Sequence, residues 1–345
     1  MSKGLRRTAS LVQLVATLSM DPTPTARRTA AYQPALALFA ALGSVWVFVL
    51  VSLGAFTTSI GAGMAIPDWP LSNGSLNPIG WLDNLSLFAE HSHRLSAGVM
   101  STVTIILAVW LWRTESRSWL RKLGWFAVAL VLAQAVVGGL RVLLDPRALP
   151  SLETSVGRLF AMLHACLAQL FVCTLIAAAV ACTRGWIERP VPVSDGLRRI
   201  GRICCVLLFI QLAIAAVLRH SFAGLAIPTF PYSTPDNHLL PAHWDFRVAI
   251  HFAHRCMAAV LAVALLLFSF LIRRDRGSTL AMRAGASALI SLLVLQIFLG
   301  AQIIWTQRTA STTTAHVLVG ALTLATTFWL TWVAHRDTIE GQATA

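Results

Sequence analysis

Along this chain apolar residues gather in eight runs with little or no charge, set apart by short polar stretches. They lie between Arg28 and Asp68, Arg94 and Arg113, Lys122 and Arg141, and Arg158 and Arg184. A second set lies between Arg202 and Arg219, Arg255 and Arg273, Arg283 and Arg308, and Arg308 and Arg336. Each is long enough, or nearly so, for the ~20-residue helix that crosses ~30 Å of hydrocarbon. The fifth run, Ile203 to Leu218, is short, and is expected to gain length from Arg202 and Arg219 snorkelling outward. The pattern predicts an all-α integral membrane protein of eight transmembrane helices.

Those runs fall into two parallel four-helix repeats. His93 and Arg94 stand 161 residues before His254 and Arg255. The same offset relates Ala65-Ile66-Pro67-Asp68-Trp69-Pro70 to Ala226-Ile227-Pro228-Thr229-Phe230-Pro231. Gln134 and Gly138 correspond to Gln296 and Gly300, one residue further out of step, and His164 to His316. Apolar helices resemble one another easily, whereas a shared offset across a proline-rich loop and a His-Arg pair marks an internal duplication. The organisation read from this is an N-terminal tail at 1–33, a first repeat at 34–185, a linker at 186–200, a second repeat at 201–336 and a C-terminal tail at 337–345.

Composition agrees with the class: 57% of residues are hydrophobic and 12% charged, with a mean hydropathy of +0.71. The net charge of +13 suggests nucleic acid only until its placement is read. Basic residues crowd the N-terminus and every second connection, as at Arg113 to Lys122, Arg184 to Arg202 and Arg273 to Arg283. The alternate loops are poor in them, and Gly61 to His93 has none. This bias puts both termini in the cytoplasm, and no aromatic-interleaved basic groove points to nucleic acid. Residues 1–28 lack the apolar centre of a secretory signal. They read as a cytoplasmic tail rather than a mitochondrial presequence, and a bacterial plasma membrane is preferred to a mitochondrial inner membrane.

Candidate chemistry sits where loops meet helices. Two proline- and tryptophan-bearing outer segments, Gly61 to Ala89 and Ser221 to Asp245, are expected to be structured lids. His220, His238 and His243 in the second are expected to face solvent. Glu90 and His93 share one helix face in Glu90-His91-Ser92-His93-Arg94. With the N-terminus inside, His93, His164, His254 and His316 all open outside-to-inside helices and share one depth. Two imidazoles on facing helices, each from its own four-helix unit, suit axial ligation of haem iron in a bundle core. Small residues at Ser96, Ala97, Gly98, Ala258, Ala259 and Gly320 would admit a flat macrocycle, and Arg94, Arg141, Arg255 and Arg308 could hold its propionates. The six cysteines, Cys166, Cys173, Cys182, Cys204, Cys205 and Cys256, lack CxxC spacing and read as packing residues.

These elements, with Gly138-Gly139-Leu140-Arg141, make the chain resemble the haem A synthase family of the CtaA/Cox15 type over nearly its whole length. That resemblance implies oxidation of a ring methyl of haem O to the formyl group of haem A, destined for cytochrome oxidase. It implies a resident haem b on His254 and His316, with Arg255 and Arg308 nearby. It also implies a substrate haem facing His93 and His164, with Arg94 and Arg141, and Glu90 as a catalytic carboxylate. Haem O synthase is the implied supplier, while a quinol or other electron partner stays unidentified. Many bacterial relatives carry a cysteine pair in the first outer loop, and this chain has none there. Independently of the resemblance, the counterpart of Glu90 is His251, so the two halves differ in an ionisable neighbour. Whether ligands pair within or across repeats stays open. A b-type cytochrome that only transfers electrons would share the histidines and topology, and a secondary transporter would share the repeats.

Overall fold

The computed structural model describes residues 31–150 and 153–341, so the tail expected at 1–33 lies almost wholly outside the described residues. Among the described residues, eight helices are long and apolar enough to span a membrane. They are α1 (Pro34–Ser59), α2 (Leu85–Thr114), α3 (Ser118–Leu143) and α4 (Val156–Ala181), then α5 (Asp195–His220), α6 (Phe246–Arg274), α7 (Leu280–Trp305) and α8 (Ala310–Ala334). Local chemistry sets their starts. Pro34 occupies the first turn of α1, where its missing N–H costs nothing. Asn84, Ser155, Ser194, Asp245 and Thr279 each accept a backbone N–H from the first turn of the helix that follows.

Each half packs as its own four-helix bundle, and α1, α4, α5 and α8 close the seam between the halves. Side chains along the seam are small: Ala177, Ala178 and Ala179 on α4 and Ala321 and Ala325 on α8 are buried. In a bilayer lipid is as apolar as leucine, so close van der Waals packing, which small residues permit, holds such a seam. Buried threonines of α8 satisfy themselves within the helix, Thr323, Thr327 and Thr331 each donating to the carbonyl four residues back.

The stretch read as a linker, 186–200, already contains the first turns of α5. The C-terminal residues beyond 336 begin with a short helix, Arg336–Ile339, whose Asp337 accepts the N–H of Val191. Arg219 departs from expectation: its guanidinium turns into the seam, donating to the Ala55 carbonyl and Ser59 Oγ of α1, both at 2.9 Å. Snorkelling is not needed, because α5 gains its length at the other end, through polar turns from Asp195.

The first outer loop is held down from α2. Arg94 donates to the carbonyls of Ile66, Asp68 and Leu71 at 2.6 to 2.9 Å. Arg255 of α6 does the same for Ile227, Thr229 and Tyr232 in the second loop. Both loops are therefore structured roofs rather than slack connectors.

Candidate functional site

His93, His164 and His254 are each the ninth residue of α2, α4 and α6, and His316 is the seventh of α8. The matched depth read from topology follows from that, since these four helices run in the same direction. The imidazoles meet two by two within each half. His254 and His316 have ring centres 6.5 Å apart at 59°. Two metal–imidazole bonds of ~2.0–2.1 Å, with each ring centre ~1.1 Å behind its nitrogen, give about 6.3 Å. In the first half His164 lies within electrostatic range of His93.

The surroundings of the rings fit axial ligands. One ring nitrogen, Nδ1, is buried without a partner in each of His93, His164 and His316, an arrangement that costs free energy unless something binds there. Among the described residues no three of His, Cys, Asp or Glu converge as a metal cage; pairs are what a macrocyclic iron needs. Glycines of neighbouring helices bring backbone against the rings: a Cβ at Gly54 would lie 2.8 Å from His93 Cε1, at Gly138 3.2 Å from His164 Cε1, and at Gly300 3.3 Å from His316 Cε1. Glutamines orient the ligands. Gln134 donates to the His164 carbonyl at 3.0 Å, Gln296 lies 3.3 Å from His316 Nε2, and Gln211 lies 3.0 Å from His254 Nδ1.

Several expectations change. Gly98 does not face the ligands: it lines an outward cleft of about 490 Å³ under the first loop, with Leu95 and Val99. His220 is half-buried rather than solvent-facing, within electrostatic range of Arg141, Arg219 and Arg158, and also of His164. His238 and His243 are exposed. Gln211 and the Gly54 contact went unread in the sequence; Gly138 and Gly300 were visible there as an unexplained repeat pair.

Glu90, expected as a catalytic carboxylate, is tied to the loop above it and to Arg94. It is 5% exposed, its Oε2 accepts the Ile66 N–H at 2.9 Å, and its Oε1 pairs with Arg94 at 2.7 Å. His251, also 5% exposed, stands in the same place: Nδ1 accepts the Ile227 N–H at 3.2 Å, and Nε2 faces Arg255 Nε at 3.3 Å. A neutral imidazole has one acceptor nitrogen, so only one of those contacts is a full hydrogen bond, whereas the carboxylate satisfies both. Glu90 is thus the stronger of two equivalent clasps between a roof loop and its helix. Neighbouring His91 adds a third tie, its Nδ1 2.9 Å from Ser72 Oγ and its ring edge-on to Trp81.

Arg141 donates to the Gly63 carbonyl at 2.7 Å, so close that no side chain fits at Gly63. Arg308 is exposed at the start of α8. Arg94 and Arg255 spend donors on loop carbonyls, as described above.

A family model of cytochrome oxidase assembly proteins, COX15-CtaA, matches residues 37–328. The chain belongs to the COX15-CtaA family. Curated relatives of this family member carry the name "Heme A synthase". One from Alkalihalophilus pseudofirmus is 24% identical over 307 residues, covering 87% of this chain and 98% of the relative. One from Staphylococcus carnosus is 26% identical over 256 residues, covering 73% and 78%. A third, from Listeria welshimeri, is 24% identical over 306 residues, covering 88% and 96%. The family match runs from the first turn of α1 to within the last two turns of α8, and so includes both histidine pairs.

Proposed function

We infer that this COX15-CtaA member is a haem A synthase, a membrane oxidoreductase that converts the ring methyl of haem O to the formyl of haem A for cytochrome oxidase. The observation that carries the reading is a family match over residues 37–328 falling on a duplicated bundle with one imidazole pair in each half. His254 and His316 would hold a resident haem b, and His93 and His164 would face the substrate haem. Haem bound there supplies one-electron and oxygen chemistry. The chain's own share is placement. Gln211 and Gln296 fix the ring planes of His254 and His316, Gly54, Gly138 and Gly300 leave the backbone close to the imidazoles, and the eight helices keep water from the reacting methyl.

Glu90 works in this scheme as the clasp that seats the first roof loop and as a fixed negative charge beside Arg94. With both oxygens taken by a backbone N–H and a guanidinium, this carboxylate serves to hold the loop on the helix. Arg94 and Arg255 act with it as loop anchors, leaving Arg141 and Arg308 for propionates. Basic loops face the cytoplasm, so both roofs lie outside and both termini inside the plasma membrane of a bacterium. Haem O synthase is the natural supplier of substrate.

The test is production of haem A. Co-expressed with haem O synthase in a host that makes no haem A, the chain should yield haem A in the membrane extract, and the His93→Ala variant should yield none. An extract holding haem B and unconverted haem O with the wild-type chain would favour the electron-transferring cytochrome instead.

A further inference from the structure

The two halves meet at their outer ends around a group of cations that the eight-run pattern does not foreshadow. Arg219 of α5 is in electrostatic range of Arg308 and Arg141. His220 beside it is in range of Arg141 and Arg158, and Arg158 stacks over Phe222 at 5.0 Å. Among the described residues the ion pairs join other residues, so Arg141, Arg158, Arg219 and Arg308 have no carboxylate at ion-pair distance. Arg141 also lies within electrostatic range of Glu90 and Asp145 and Arg308 is exposed, which leaves half-buried Arg219 as the central cation of the group, and such a cation in a membrane bundle is retained when an anion completes it.

Arg219 stands between both histidine sites. Its NH2 is held by Ala55 and Ser59. Ala55 follows Gly54, the residue pressed against His93. Ser59 Oγ also receives Thr314 Oγ1 at 3.2 Å, and Thr314 lies two residues before His316. Nε and NH1 have no protein partner among the described residues, so the guanidinium keeps donors free. In the first half the counterpart position is Thr58, so the device was built once, into the second repeat, and reaches across.

We propose that these cations form one carboxylate seat, centred on Arg219, that holds propionates of the tetrapyrroles bound in both halves. This rests on the haem reading above. Two haems bring four carboxylates, and Arg141, Arg158, Arg219 and Arg308 bring four cations. Arg141 comes from the first half and Arg219 and Arg308 from the second, so neither site is complete without the other half. Arg219 is a binding residue here, with no proton or electron passing through it.

The test uses the purified full-length chain from haem-limited cells, in nanodiscs of zwitterionic lipid. It is titrated with iron protoporphyrin IX and with the dimethyl ester, whose carboxylates are blocked. The wild type should prefer the free acid by about tenfold or more, and Arg219→Gln should reduce the preference to about twofold. Arg219→Lys, which keeps the charge, should retain most of it and controls for folding. An undiminished preference in Arg219→Gln overturns the seat. A wild-type ratio near one that changes on adding anionic lipid assigns the cations to lipid phosphate and overturns it too. A wild type that binds neither porphyrin defeats the haem reading itself.

Discussion

Replacing Glu90 separates a clasp from a catalyst. Glu90→Ala orphans the Ile66 N–H, whose residue is 0% exposed, at about 1–3 kcal/mol. It also strips Arg94 of the one carboxylate at ion-pair distance among the described residues; Arg94 keeps its three loop carbonyls, so that loss falls at the low end of ~1.5–3 kcal/mol for a charged hydrogen bond. Together the expected cost is about 3 kcal/mol, or roughly 4 °C of melting temperature on the per-residue entropy scaling for a chain of 345 residues. Glu90→His copies the arrangement at His251, where one full hydrogen bond survives, and should recover about half of that loss. The assay is thermal unfolding in detergent with limited proteolysis of the first outer loop, run beside haem A output. Glu90→Ala as stable as wild type, or Glu90→His no better than Ala, would refute the clasp. A Glu90→His variant that is stable, keeps its b-type haem and makes no haem A would restore a direct chemical role to the carboxylate.

Other expectations are simpler to check. His254→Ala and His316→Ala should each abolish or grossly alter the b-type absorption spectrum, and normal haem content in either would break the second-half assignment. Gly54→Ala should displace His93, since the added Cβ would lie 2.8 Å from its ring; a loss of haem A output at least as deep as that of Gly98→Ala, which faces the outward cleft, is the predicted ranking. Reporter fusions at Arg117, Gly185 and Arg276 should read cytoplasmic, and at Asn73 and Asp236 external. Cys182 is buried, and that burial, with Glu115 adding and Arg117 opposing, pushes its thiol up to about 12, so alkylation at neutral pH should leave it unmodified until the protein is denatured.

The spans and the duplication were legible because both rest on one-dimensional signals: uncharged runs between arginines, and a constant offset through Pro67 and Pro228, His93 and His254. Pairing within each half was not legible, since it depends on which helices pack together. The roles of polar residues at the helix mouths were the hardest to read. Glu90 was read as a catalytic carboxylate and Arg94 and Arg255 as propionate holders because their types suit it; their contacts to backbone groups of folded loops leave no trace in residue type. Arg219 read as an interfacial snorkeller because only the seam shows that α1 lies within its reach. Gly138 and Gly300, by contrast, were already marked as a repeat pair, and the structure supplied the reason.

The most direct test of the central claim is the haem inventory of the purified protein, taken as a pyridine haemochrome spectrum with chromatography of the acid extract. The two histidine pairs predict haem B together with haem A or the alcohol derivative of haem O when haem O synthase is co-expressed. A colourless preparation that is folded and monodisperse, with no extractable haem under those conditions, would contradict the account.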